Sequence, residues 1–417
     1  MSRYLEAPQA SRECTLALMK EGYRYVGSQC DRLNTDVFRS RLLLRKTLFL
    51  RGEEAASLFY DKARMTREHA APKRMQKTLF GVGGVQGLEG ESHRRRKALF
   101  LEMMSKARID RLMVLVEQAW QSRLPYWQSE TSIVLLDELH QLLCRAACDW
   151  CGIPLKEKQV PELTQRLVLM IEGGGSVGLK HWRARRARRL AEEALISTID
   201  DYRHHPRELD PALPLPAFAD FRDESGAQLP SRIVAVELLN LIRPIVAVAR
   251  YMVFTVLAIH EHPDCLEKLK QGNADRYRSN FIEEVRRYYP FFPLLVARVK
   301  EDFAWRGYRF HQGWQVVLDL YGTNHDSDRW ESPDRFQPER FEQEDEACHR
   351  FAMIPQGGGE HAIHHRCPGE WITLALIELA IEKFVHQLDY RVPAQDLSLN
   401  LACMPAKPRS GLVICMN

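Results

Sequence analysis

The chain has 417 residues, 45% of them hydrophobic and 27% charged, with a formal net charge of +4. That length allows a large core and, by the usual rule, two or three domains. The charge is too small to argue for a nucleic-acid partner. No apolar run reaches the ~18 uncharged residues of a membrane span. Met1-Ser-Arg-Tyr-Leu-Glu-Ala-Pro8 lacks a basic-then-apolar leader, so the expectation is a soluble, cytoplasmic protein without a membrane anchor. The ten cysteines are scattered, without a paired framework, as suits reduced thiols.

Residues 9 to 80 mix amphipathic helical patterns with short β-branched runs. Thr35 to Leu50 alternates like one or two strands, and a helix starts at Arg51-Gly-Glu-Glu54. Phe80-Gly-Val-Gly-Gly-Val-Gln-Gly-Leu-Glu-Gly90 has five glycines in eleven residues, a loop with little side chain of its own. It feeds a basic helix, Glu91 to Leu101, on which His93 and Lys97 are four apart and share a face. They could clamp an anion or form part of a solvated face. Cys144, Cys148 and Cys151 sit in a buried helical pattern without a fourth ligand nearby, which favours core packing over zinc. Glu172-Gly-Gly-Gly-Ser176 breaks the helices. His181 to Arg189 is a basic helical run, read as a solvated face with acidic lipid or a protein partner as the alternative. No boundary separates two cores.

Ser231 to His260 is the longest apolar pattern. Thirty residues of helix would span about 45 Å, apolar nearly all round and hence buried. Pro244 removes a hydrogen bond in mid-helix and predicts a kink. Arg243 places a permanent charge among Leu, Ile and Val, which is costly without a partner. Glu237 is six residues back, off its face. Either Arg243 reaches the surface or a distant acid, or an anionic ligand supplies the carboxylate.

Ser279 to Tyr289 predicts a helix carrying Glu284 and Arg287 at i and i+3, stopping at Pro290. Short strands follow near Arg298–Trp305, Tyr308–Phe310 and Gln315–Leu320, then a turn-rich segment with Phe336-Gln-Pro-Glu-Arg-Phe341. The run Phe351 to Trp371 is a glycine-rich loop ending in Cys367. A helix is expected from Pro368, whose missing N–H suits a first turn. A helix N-terminus and Arg366 both favour a thiolate, and consecutive glycines let backbone pass close to something bulky. Cys367 reads either as a structural cysteine or as an axial ligand to a metal or haem iron.

The order of these features resembles the cytochrome P450 family across almost the whole chain. That resemblance implies a mainly α fold with a smaller β region, a triangular prism with haem between the long central helix and the cysteine-loop helix. It implies a single haem-thiolate domain over residues 1–417. It makes Cys367 the axial ligand of haem b (iron protoporphyrin IX), and Glu284, Arg287 and Arg340 a buried ion triad beside the loop. Two departures stand out. Glu360 and His365 occupy the loop positions where the family usually has an aromatic and an arginine. Arg243-Pro244 replaces the acid–alcohol pair of the central helix, with Thr255 the next threonine, three turns on. Both departures, with Gln356-Gly-Gly-Gly359 and His365-Arg-Cys-Pro-Gly-Glu370, are similar to the bacterial fatty-acid peroxygenase branch.

What that branch implies is hydrogen-peroxide-dependent hydroxylation of long-chain fatty acids at Cα and/or Cβ, with no obligatory redox partner. Arg243 would bind the substrate carboxylate, which would serve as the missing acid–base group. Gln86 goes with hydroxylation, and a histidine there with decarboxylation. Phe80, Val85, Phe291, Phe292 and Leu294 are candidates for the acyl channel, with core packing as the alternative for each. His93 and Lys97, with Arg298 and His365, are the candidates for the haem propionates. Four rival readings are a decarboxylase giving terminal alkenes, a reductase-dependent monooxygenase, a non-catalytic haem- or fatty-acid-binding module, and zinc held by His361, His364, His365 and Cys367.

Overall fold

The computed structural model describes residues 4–205, 209–271, 275–342 and 350–417. The chain divides into two compact units, neither continuous in sequence: residues 1–71, 275–367 and 399–407 form the first, and 72–274, 368–398 and 408–417 the second.

The first unit is built on a five-stranded sheet. Its strands run in the order Val37–Leu42, Arg45–Leu50, Gln315–Asp319, Leu294–Val299 and Met65–Thr66. The alternation in 35–50 is the hairpin at one edge, in register from Val37 opposite Leu50 to Leu42 opposite Arg45. Gln315–Asp319 joins it in parallel and is buried along its whole length, as a central strand should be. The helices Glu53–Phe59 and Asp275–Tyr288 belong to this unit. The second opens after Arg278 into the predicted face: Phe281, Glu284, Val285 and Arg287 are all buried.

The second unit is mainly helical, with one small sheet of Ile133–Val134, Val413–Met416 and Tyr390–Arg391. Its core is the apolar segment 231–261, against which Leu135–Cys151, Val160–Gly173, Gly178–His204 and Glu370–Ile381 pack. This segment alone among the described residues is long and apolar enough to cross a membrane, and 94% of its most apolar window is buried in the protein. It is a core helix.

It is not one rod. It runs as Ser231–Ala247 and Ala249–Glu261, which meet at Val248. Pro244 has no N–H for the carbonyl one turn back, and the disturbance emerges a turn later. There the Val248 N–H is shared between the carbonyls of Pro244 and Ile245, both at 3.1 Å. The cysteine-loop helix also starts later than its sequence suggests, at Glu370 with Gly369 as N-cap, so Pro368 precedes the cap.

Candidate active site

In the first unit the candidate machinery is the loop that presents Cys367. Cys14 and Cys30 of the same unit are fully buried, whereas Cys367 is partly exposed. Its N–H donates to the Gln356 carbonyl at 3.1 Å, which closes the loop on itself. Gly357 and Gly359 have φ of 93° and 80°, a region that a side chain disfavours. A Cβ on Gly357 would lie 2.7 Å from the Tyr60 hydroxyl, and one on Gly359 would lie 2.6 Å from His364 Nδ1. The loop is therefore glycine-rich because other groups fill the space beside it. The Tyr60 hydroxyl accepts the Gly358 N–H at 2.9 Å, and burial pushes the Tyr60 phenol pKa up, keeping it neutral.

The triad holds this loop from behind. Arg287 donates twice to Glu284, Nε at 2.7 Å and a terminal nitrogen at 2.8 Å, a bidentate pair with both side chains fully buried. Arg340 Nε donates to Glu284 at 3.2 Å, and the Gln337 N–H donates to the same carboxylate at 2.8 Å. Arg287 also donates to the carbonyls of Asn324 (2.9 Å) and Pro333 (3.0 Å). The Asn324 side chain in turn accepts the N–H of Ile354 at the start of the cysteine loop, at 2.8 Å. One carboxylate thus fixes a helix, the Pro338–Phe341 turn and, through Asn324, the loop.

In the second unit the glycine loop and the central helix are joined by a buried polar chain. Arg96 donates to Glu237 at 3.0 Å and to the Gly83 carbonyl at 3.1 Å. Asn240 Nδ2 donates to Glu237 at 3.0 Å and to Gln86 Oε1 at 3.3 Å. Gln86 is so tied to the helix one turn before Arg243. Arg243 is buried, 8% exposed, in an otherwise apolar stretch. The ring of Pro244 occupies the next position of that helix.

Of the other candidates, His93 and Lys97 are each buried on the helix Gly90–Met103, which overturns the solvated-face alternative for them. Val85 is buried and Phe80 half-buried in the same unit. Phe291, Phe292, Leu294 and Arg298 are half-buried, leading into and along a strand of the first unit; Arg298 is in register with Thr66 and Gln315. His365 is half-buried in the cysteine loop. The zinc reading does not survive. His364 Nδ1 accepts the Glu360 N–H at 2.8 Å, and among the described residues no group of three or more His, Cys, Asp or Glu could hold a metal ion. A partly exposed cysteine two residues ahead of a helix cap fits a residue that would hold a haem iron through its sulfur.

The family model for cytochrome P450 matches residues 273–412. A putative cytochrome P450 120 from Synechocystis sp. is 22% identical over 399 residues, covering 90% of this chain and 88% of that protein. Cytochrome P450EX alpha, solved with myristic acid, is 42% identical with a TM-score of 0.94, covering 99% of this chain and 98% of the other. The chain belongs to the cytochrome P450 family. It is a haem-thiolate oxidoreductase whose cofactor is haem b. Two further P450 structures are similar. Cytochrome P450SP alpha in complex with (R)-ibuprophen is 43% identical, TM-score 0.93, covering 97% and 98%. A Phe-to-Ala variant of cytochrome P450 OleT in complex with arachidonic acid is 33% identical, TM-score 0.94, covering 99% and 98%.

Five residues of this P450 escaped the sequence: Tyr60, Asn324, Arg96, Glu237 and Asn240. Each acts on a partner far along the chain, and Arg96 lies inside a run of basic residues that reads as surface. The solvated-face reading of 181–189 is half right. Arg188 is buried, donating to Glu192 and to the Leu79 carbonyl, while its basic neighbours Arg185, Arg186 and Arg189 are exposed.

Proposed function

We propose that this protein hydroxylates long-chain fatty acids at Cα and/or Cβ, with hydrogen peroxide as oxidant and no obligatory redox partner. The overall change is R–H + H2O2 → R–OH + H2O. The observation that carries the proposal is Arg243-Pro244: a guanidinium buried in the apolar central helix. Arg243 binds the fatty-acid carboxylate as a charge-assisted pair in a dry site. Haem, when bound, supplies the iron at which peroxide oxygen is activated. Cys367 holds that iron as its thiolate. His93, Lys97, Arg298 and His365 are placed here as partners of its propionates.

Proton movement between the two peroxide oxygens needs a group that accepts and returns a proton. The central helix offers none of its own. Thr255 is fully buried and donates back to the Tyr251 carbonyl at 2.8 Å, and Glu237 is engaged by Arg96 and Asn240. The substrate carboxylate on Arg243 fills that role. Myristic and arachidonic acids in similar structures are carboxylic acids of this kind. Gln86 favours hydroxylation over loss of carbon dioxide, because its amide oxygen is held by Asn240 and the side chain carries no titrating proton. Phe80, Val85, Phe291, Phe292 and Leu294 are proposed to line the acyl chain's path. The two units are proposed to work as one domain over residues 1–417, in the cytoplasm.

The deciding experiment is incubation with hydrogen peroxide and hexadecanoic acid, without reductase, followed by product identification. Expected products are 2- and 3-hydroxy acids. Arg243→Ala should lose at least about 100-fold in turnover, the scale of a lost positioning contact; undiminished turnover would remove the carboxylate role. Cys367→Ser should abolish the thiolate-type Soret band of the reduced carbonyl adduct. Retention of that band would remove Cys367 as ligand. Turnover only with NADPH and redox partners would favour the conventional monooxygenase instead.

A further inference from the structure

One face of the second unit has no part in this chemistry. Val177, Leu179 and Trp182 are large apolar groups, 43%, 77% and 61% exposed. Exposed cations surround them: Lys180, Arg183, Arg185, Arg186 and Arg189. No acidic residue occurs between Glu172 and Glu192.

The helix Gly178–His204 begins inside this run with no acid in its first turn. Cations near a helix N-terminus oppose the positive end of its dipole. Several other helices place acids there, as at Glu53 and Glu54, Asp137 and Glu138, Glu162 and Glu370, although Lys106–Ser129 also starts on a cation without one. The basic start therefore does not serve helix stability. The inner face of the helix is occupied, with Ala184, Ala187 and Arg188 buried. Leu179 and Trp182, three apart, share the outward side, and the Arg185 guanidinium lies 5.3 Å from the Trp182 ring centroid.

We propose that this face docks peripherally on an anionic lipid surface. Leu179 and Trp182 enter the boundary between headgroups and acyl chains, where an indole is well accommodated. The five cations meet lipid phosphates. A nucleic acid would satisfy the same charges but leave two large apolar groups in water, so lipid is the better match.

The test is co-sedimentation of the full-length haem-loaded protein with vesicles of phosphatidylcholine, alone or mixed with phosphatidylglycerol. Binding should be on the order of ten-fold or more tighter to the anionic vesicles and should weaken with salt. Leu179→Ser/Trp182→Ser and Arg183→Ser/Arg186→Ser should each lose on the order of ten-fold, with far-UV circular dichroism and activity on dissolved fatty acid unchanged. Three results overturn the proposal: no preference for anionic vesicles, wild-type binding by the Leu179/Trp182 double variant, or single-stranded nucleic acid bound as tightly as the anionic vesicles.

Discussion

Among the described residues two glutamates are completely buried, one in each unit, and they are held differently. Glu284 receives a bidentate arginine, a second arginine and a backbone N–H. Glu237 receives one nitrogen of Arg96 and the Asn240 amide, with a backbone contact from Val85. Burial pushes the Glu237 carboxyl above its ordinary range, outweighing those hydrogen bonds and Arg96. The first acid is a saturated ionic lock, which fixes the frame behind Cys367. The second is a looser polar tie between the glycine loop and the helix of Arg243. Equal burial does not imply an equal role; the number of charged donors decides it.

The sharpest way to break this contrast is to neutralise each acid without changing its shape. Glu284→Gln leaves two buried arginines without their charge partner and should cost about 3–5 kcal/mol of stability. Glu237→Gln should cost only about 1 kcal/mol, because its amide oxygen still accepts from Arg96. The pH dependence has a definite sign. A raised carboxyl pKa means the folded state holds its proton longer than the unfolded chain. The stabilising contribution is full below the ordinary value of 4.5 and is lost as pH rises through the folded pKa. The stability of Glu237→Gln relative to wild type should therefore improve as pH rises through that window. Equal losses in the two variants, measured by denaturant melts, would end the distinction.

Within the lock of the first unit, Tyr60 is the next largest test. Tyr60→Phe leaves the buried N–H of Gly358 without its acceptor, so stability should fall by about 1–3 kcal/mol. The effect should concentrate in the cysteine loop, as faster amide exchange at residues 356–359. Unaltered exchange there would mean that the glycine loop is held by its own turns alone.

The Glu284–Arg287 part of the lock was legible in the sequence, Arg340 entered only through the family resemblance, and the tie was not legible, for a physical reason. Glu284 and Arg287 are i and i+3 on one helix, so their pairing is local and shows as a pattern. The same holds for the hairpin 37–50, for Pro244 as a break, and for Cys367 ahead of a helix. Arg96 and Glu237 are 141 residues apart, and nothing in the run Glu91 to Lys97 marks which cation turns inward. Tyr60 and Gly358 are 298 apart; three glycines announce close packing but not what packs there. The length rule for domain number says nothing of where the units divide: both draw on separate stretches of chain, so no linker marks a boundary.

Asn240 gives the smallest effect and the most specific one. Its amide donates to both Glu237 and Gln86, so it relays the position of the central helix to the glycine loop. Asn240→Ala deletes both bonds while leaving Arg243, one turn on, in its helix. Stability should drop by only about 1 kcal/mol. If Gln86 influences where the fatty acid is attacked, freeing its amide should change the ratio of 2-hydroxy to 3-hydroxy to alkene products at nearly constant fatty-acid affinity. A loss of affinity with an unchanged product ratio would show Asn240 supporting Arg243 instead. Gln86→Leu provides the control: it removes the same amide from the other end, so the two variants should shift the products in the same direction if the tie is what positions the loop.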